Sequence, residues 1–349
     1  MRPTVPYKEA ARKESCFRPG STLCVGCMES VGFQNLGRIT DNGIKTIYTM
    51  GTFCGEVSTL FWPDVISWGR GDQEPQRFEK SFSILHNVFE SAPTVAEGIR
   101  DTADLLIELK ALKRPVQVVA NSGDGGALVI GLRPFLHTIQ RRSRITLVVY
   151  INEFFANTGF QYAVTATPYA ETSTTPPGDF VPGNLSEPMN HIGLALMAGA
   201  GFVAQVSPAY PKDFTEACET ALSCPETAVL FIPSPCIAGW KFAEGETIHL
   251  ARLAAETGLF PTFIKEKGKA GIVRHTALES AKRRPVTEFL SLQRRFHHLV
   301  RQDASGKPVI VSGREREVAA IQDWADRNVQ ALHRLVEWDL NSVLISAKP

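Results

Sequence analysis

The stretch VQVVANSGDGGALVIG, residues 116–131, decides how the chain is read. An apolar, β-rich run gives way to Gly123-Asp124-Gly125-Gly126, so one carboxylate sits on a loop almost bare of side chains. A glycine turn after a strand lets backbone approach an anion closely. A carboxylate there is useful when a divalent cation neutralises that anion. Magnesium suits the position, being a hard ion that takes one or two protein oxygens together with phosphate oxygens. Read alone, Gly-Asp-Gly is more readily a tight turn with a solvated aspartate.

The neighbouring sequence shifts the balance toward a site. Short β-branched runs recur in KTIYTMG (45–51), ITLVVYIN (145–152), GFVAQVS (201–207) and AVLFIPSP (228–235), with a helical pattern at 94–113 between the first run and the quoted stretch. Runs that are apolar on both faces and separated by helices predict an α/β fold, a mostly parallel sheet with helices on both faces. Ligands collect beyond the carboxyl ends of such strands. Asp124 and Asn152 each follow a strand-like run, 28 residues apart, and are expected side by side on that edge, with Asn157-Thr158-Gly159 just beyond. From residue 265 the texture turns polar and basic, then amphipathic at 286–300 and 316–338. This predicts a cofactor-binding α/β domain over 1–264 and a mainly helical extension over 265–349, packed on the core or on a partner. The Pro/Gly/Thr-rich loop at 172–183 is long enough to be functional or interface-forming.

Composition narrows the function. The 349 residues carry a formal charge of +1 with both signs interspersed, which leaves no electrostatic footprint for nucleic acid. No run reaches the roughly 18 apolar residues of a membrane span, and the first residues show charges without an apolar signal core. The chain reads as cytoplasmic. Seven cysteines, an odd count, argue for reduced thiols. Cys24 and Cys27 form a CxxC, which alone is a redox pair or part of a metal site. Cys54 (GTFCGEV) and Cys236 (PSPCIAGW) each follow a strand-like run and are expected on the same edge as Asp124. Cys16, Cys218 and Cys224 read as small buried hydrophobes. Four thiolates suit zinc or a 4Fe-4S cluster, and cysteine spacing alone does not decide between them.

Gly-Asp-Gly followed 28 residues later by Asn matches the magnesium and diphosphate signature of thiamine-diphosphate enzymes. Together with CVGCMES, GTFCGEV, HNVFESAPTVAEGI, INEFFANTGFQ, ATPYAETSTTPPG, SPCIAGW and LARLAAETGLFP, it makes residues 16–260 resemble the β subunit of 2-oxo acid:ferredoxin oxidoreductases, most like the pyruvate type. The resemblance implies a 4Fe-4S cluster on Cys24, Cys27, Cys54 and Cys236. It implies magnesium on Asp124, Asn152 and the Phe154 carbonyl. Thiamine diphosphate would lie among Thr52, Gly123, Gly125, Gly126 and Asn157, with Asn157 also near the substrate. The reaction implied is oxidative decarboxylation of a 2-oxo acid with CoA to acyl-CoA and CO2. Electrons would pass to ferredoxin or another carrier. Also implied are an α subunit supplying the pyrimidine-side Glu, γ and ferredoxin-like δ subunits, and a dimer of heteromers. A non-oxidative thiamine decarboxylase or synthase and a zinc-stabilised assembly subunit are the alternatives.

Two features depart from the family pattern or stand outside it. Phe154, Phe155, Phe160 and Tyr162 crowd the Asn157 loop where the family tends to carry a Tyr-Met pair; they read either as core or as the lining of a pocket for a bulkier oxo acid such as phenylglyoxylate or indolepyruvate. His86 and His249 lie in apolar contexts and read first as structural, second as acid-base groups.

Overall fold

Continuous burial is what makes strands out of the runs above. β3 (Val116–Gly123), β4 (Thr146–Ile151), β7 (Phe202–Gln205) and β8 (Ala228–Pro233) are buried at every residue, because helices cover both faces of the sheet they form. The computed structural model describes residues 8, 11–12, 22–40, 42–60 and 83–338; Cys16 lies outside them. β1 (Lys45–Met50), β2 (Ser83–His86), β9 (Thr262–Glu266) and β10 (Ile272–Arg274) complete an eight-stranded sheet in the order β10-β9-β7-β8-β4-β3-β1-β2. From β7 to β2 every pairing is parallel; β9 and β10 add antiparallel at the far edge. The residue 264 at which the sequence changes texture falls inside β9, and the next segment continues the same sheet through β10.

One face packs on α1 (Met28–Thr40) and α6 (Pro211–Ser223) through Phe33, Leu36, Phe214 and Ala217 against Tyr48, Val119, Val148 and Leu230. α2 (Cys54–Leu60) starts directly beyond β1. The other face carries α3 (Ala92–Glu108), α4 (Leu132–Arg141), α5 (His191–Met197), α7 (Thr247–Glu256), α8 (Val286–Ser291) and α9 (Glu315–Val336). α9 belongs to this core: Ile321, Ala325 and Leu332 are buried in the same cluster as Val203 and Phe231. The minor ladders β5 (Phe154–Phe155) with β6 (Gln161–Tyr162), and β11 (Val300–Gln302) with β12 (Pro308–Ile310), lie outside the main sheet. No helix among the described residues is long and apolar enough to cross a membrane.

Candidate active site

Because β1, β3, β4 and β8 are parallel and adjacent, the residues that follow them meet along one edge: Cys54 after β1, Asp124 after β3, Asn152 after β4 and Cys236 after β8. Asp124 is fully buried and opens a π-helical turn, Gly125–Ile130. One oxygen accepts from Gly125 N at 2.9 Å; the other accepts from Glu153 N at 2.8 Å and from the Thr165 hydroxyl. All three donors are neutral, and burial pushes the Asp124 pKa up to about 7.

The glycines of this loop are there for close approach. A Cβ on Gly126 would fall 2.6 Å from Ser122 Oγ, and one on Gly125 would fall 2.6 Å from the Phe155 ring. Thr52 lies in the neighbouring loop, its hydroxyl 3.4 Å from the Asn87 carbonyl. The Asn152 side-chain oxygen accepts from Phe154 N at 3.0 Å, and the Asn152 carbonyl accepts from Trp240 Nε1 at 2.9 Å. The three residues that the resemblance assigns to magnesium are thus bound into one unit through Glu153 N. The donor set, one carboxylate with amide and carbonyl oxygens, fits a hard divalent cation.

The thiols gather beside it. Burial raises the Cys54 pKa, and Glu29, Cys236, Cys27 and Cys24 all lie within electrostatic reach of it and add to the rise. Burial likewise pushes Cys27 up to about 12 and Cys236 up to about 11. Among the described residues no three His, Cys, Asp or Glu side chains close on a single metal ion, so the thiols share a neighbourhood without converging on one point. Gly26, in the left-handed region at φ +76°, seats the CxxC turn against the segment after β8: its carbonyl accepts from Thr247 Oγ1 at 2.6 Å. Cys236 Sγ accepts from Gly239 N at 3.4 Å. Cys54 Sγ donates to Asn157 Oδ1 at 3.2 Å, joining the thiol group to the loop that the resemblance places around thiamine. Cys218 and Cys224 are buried in the core on the α6 side of the sheet, apart from this group.

The aromatic residues divide. Phe154 is buried and meets Phe160 edge-on at 5.9 Å, with both rings against Gly239. Phe155 and Tyr162 stay half-buried, Phe155 lying edge-on to Phe89 at 6.2 Å. His86 Nδ1 sits 3.2 Å from Glu56 Oε1, and His249 stays exposed on α7.

Sequence reasoning gave no role to three side chains at this edge. Glu29 is 1% exposed beside the thiols, its pKa pushed up to about 8 by burial and held back by the Gly55 amide. Its place two residues after Cys27 was the available signal. Thr165 and Arg295 had none, because they reach Asp124 and Glu153 from 41 and 142 residues away.

The buried carboxylate on bare backbone lies at the carboxyl edge of the parallel sheet, where ligands of such folds bind, and residues 73–232 match the family model described as thiamine pyrophosphate enzyme, C-terminal TPP binding domain, which makes this a thiamine-diphosphate-binding α/β protein. The pyruvate synthase subunit PorB of Methanocaldococcus jannaschii is 33% identical over 83% of this chain and 92% of its own length. PorB of Methanothermobacter thermautotrophicus is 31% identical over 92% of this chain and 98% of its own. The ketoisovalerate oxidoreductase subunit VorB of Pyrococcus abyssi is 27% identical over 96% of each chain. The chain belongs to the β subunits of the 2-oxo acid:ferredoxin oxidoreductase family.

Proposed function

We propose that the chain is the catalytic β subunit of a 2-oxo acid:acceptor oxidoreductase that forms acyl-CoA and CO2 from a 2-oxo acid and CoA. Electrons leave to ferredoxin or another carrier. One observation carries the reading. The thiol group and the Asp124–Asn152 unit share one sheet edge: Cys54 donates to Asn157 in the loop that follows Asn152, and Trp240, in the turn that follows Cys236, donates to the Asn152 carbonyl.

When bound, thiamine diphosphate supplies the electron sink for decarboxylation and a 4Fe-4S cluster takes up the electrons singly. The chain's own residues have distinct tasks. Asp124, the Asn152 side chain and the Phe154 carbonyl hold magnesium, while Gly123, Gly125 and Gly126 give the diphosphate room beside backbone. Thr52 lines the same space, and Asn157 orients the substrate. Cys24, Cys27, Cys54 and Cys236 ligate the cluster. Phe155, Phe160 and Tyr162, which stay partly exposed, border the acyl group, which is pyruvate or a bulkier aromatic oxo acid. An α subunit brings the pyrimidine-side Glu, and γ and ferredoxin-like δ subunits complete a dimer of heteromers.

Iron and sulfide analysis of anaerobically purified variants tests this. Cys54→Ser is expected to lower iron content and Cys218→Ser to leave it unchanged. Equal iron in the two removes Cys54 from the ligand set.

A further inference from the structure

Arg295 brings the segment beyond residue 264 into the candidate site. It lies in the short turn Arg294–Phe296, between α8 and β11, and its side chain is fully buried. Nη1 donates to Glu153 Oε2, and Nε donates to Gln293 Oε1 at 2.8 Å. The guanidinium lies 4.1 Å from the centre of the Trp240 ring and 4.8 Å from that of Phe296. Glu153 is equally buried, and its other oxygen accepts from Thr167 Oγ1 at 2.7 Å.

The backbone at Glu153 explains what this pair is for. Glu153 stands at φ +71°, in the left-handed region that a residue other than glycine adopts only when its surroundings hold it there. Both carboxylate oxygens are anchored, so the side chain supplies that hold. The strained residue lies between Asn152 and Phe154, and its amide is the donor to Asp124 Oδ2. Net stability is a weak reason to bury two charges, because desolvation offsets most of their attraction. Holding one loop in one conformation is a better one. Trp240 adds a second line to the same loop, since it stacks on Arg295 and donates to the Asn152 carbonyl.

We infer that Arg295 is a positioning residue for the magnesium loop: through the Glu153 carboxylate it fixes the left-handed turn that aligns Asn152 and Phe154 with Asp124. The inference rests on the proposed function, in which those three residues hold the ion. Arg295 acts on the loop through Glu153; its guanidinium also lies within electrostatic reach of Cys236, so the test removes both charges of the pair together.

The test uses the chain co-purified with its partner subunits and stripped of thiamine diphosphate and magnesium. Calorimetry follows thiamine diphosphate binding at increasing magnesium, alongside iron content and thermal midpoint. Arg295→Met paired with Glu153→Gln, which removes both charges together, is expected to raise the magnesium half-saturation about tenfold at unchanged iron content, the usual scale for loss of a group that orients a metal ligand. Arg295→Lys should restore part of this, and Thr167→Val should move the half-saturation the same way by less. Parent-like magnesium dependence in both the double variant and Thr167→Val overturns the inference. So does a parallel loss of iron, thermal midpoint and magnesium binding, which marks a merely structural pair. If the Arg295 variants do not fold, Thr167→Val decides alone. Asp124→Ala separates the two levels: unchanged binding there overturns the proposed function, whereas weakened binding there with parent-like Arg295 and Thr167 variants overturns only this inference.

Discussion

Asp124 shows most clearly what a single residue contributes. Its glycine neighbours and the strand before it made it legible in the sequence, and the structure adds that it is fully buried among three neutral donors. Asp124→Ala is expected to weaken magnesium-dependent thiamine diphosphate binding at least about tenfold while leaving iron content unchanged; equal affinity by calorimetry would make Asp124 a turn residue. Phe155, packed against Gly125, is expected to influence acyl-group choice. Phe155→Ala should change the ratio of kcat/KM for phenylglyoxylate against pyruvate by about tenfold, the worth of one well-filled apolar contact. An unchanged ratio assigns its ring to packing alone. His191 gives a pH dependence. It is buried against Phe231 with Nε2 2.9 Å from the Gln205 oxygen, and burial holds its pKa below the ordinary histidine value. On acidification the unfolded chain therefore takes up this proton first. The stability contribution is complete above about pH 6.5 and is lost as pH falls below it. His191→Gln should flatten the fall in urea midpoint between about pH 7 and 5.5; the same slope in both proteins would remove His191 as its source.

Elements were legible where burial is uniform and harder to read where it is not. The runs at 45–51, 116–121, 145–152, 201–207 and 228–235 correspond to β1, β3, β4, β7 and β8, because strands covered on both faces are apolar at most positions. α3 begins two residues before the expected 94 and ends before 113; Lys110, at φ +60°, turns the chain out of it. β10 was missed for the opposite reason: as an edge strand with burial exposed, intermediate, exposed, it needs no apolar composition. The amphipathic 286–300 segment is helical only over Val286–Ser291. Its polar members then turn inward, Gln293 donating to the Phe289 carbonyl at 2.8 Å and Arg295 reaching Glu153. α9 is tied down by packing and by Asn328, which donates to the Gly258 and Leu259 carbonyls at 3.0 and 3.1 Å. Ile321→Ala, which opens a cavity under α9, is expected to cost about 2–5 kcal/mol. A denaturant midpoint equal to the parent's would show that α9 contributes little to the core.

At the scale of the whole molecule, the proposed function divides the site between this chain and a partner. Besides Asp124, three buried carboxylates lie at the edge: Glu56 pairs with His86 and Glu153 with Thr167 and Arg295, while Glu29 accepts from the Gly55 amide and keeps its Oε1 without a hydrogen-bond partner among the described residues. Large apolar side chains stay exposed nearby: Val88 is 70% exposed just after β2, and Val129 and Ile130 are 39% and 47% exposed at the end of the turn that Asp124 opens. In the proposed function a partner subunit covers this exposed apolar edge and brings the pyrimidine-side Glu. The chain purified alone is therefore expected to show no 2-oxo acid oxidation with a viologen acceptor. Activity should appear on co-expression with partner subunits; CoA-dependent turnover by the isolated chain would contradict the divided site.

The central claim is that a thiamine site on Asp124 and an iron–sulfur site on four cysteines work as one unit. The most direct measurement is the anaerobic visible spectrum of the reconstituted complex, loaded with thiamine diphosphate and magnesium, before and after adding its 2-oxo acid without an external acceptor. The account predicts a broad brown absorption that bleaches on substrate addition in the parent and persists unbleached in Asp124→Ala. A colourless complex, or a brown one that substrate fails to bleach in the parent, would contradict it.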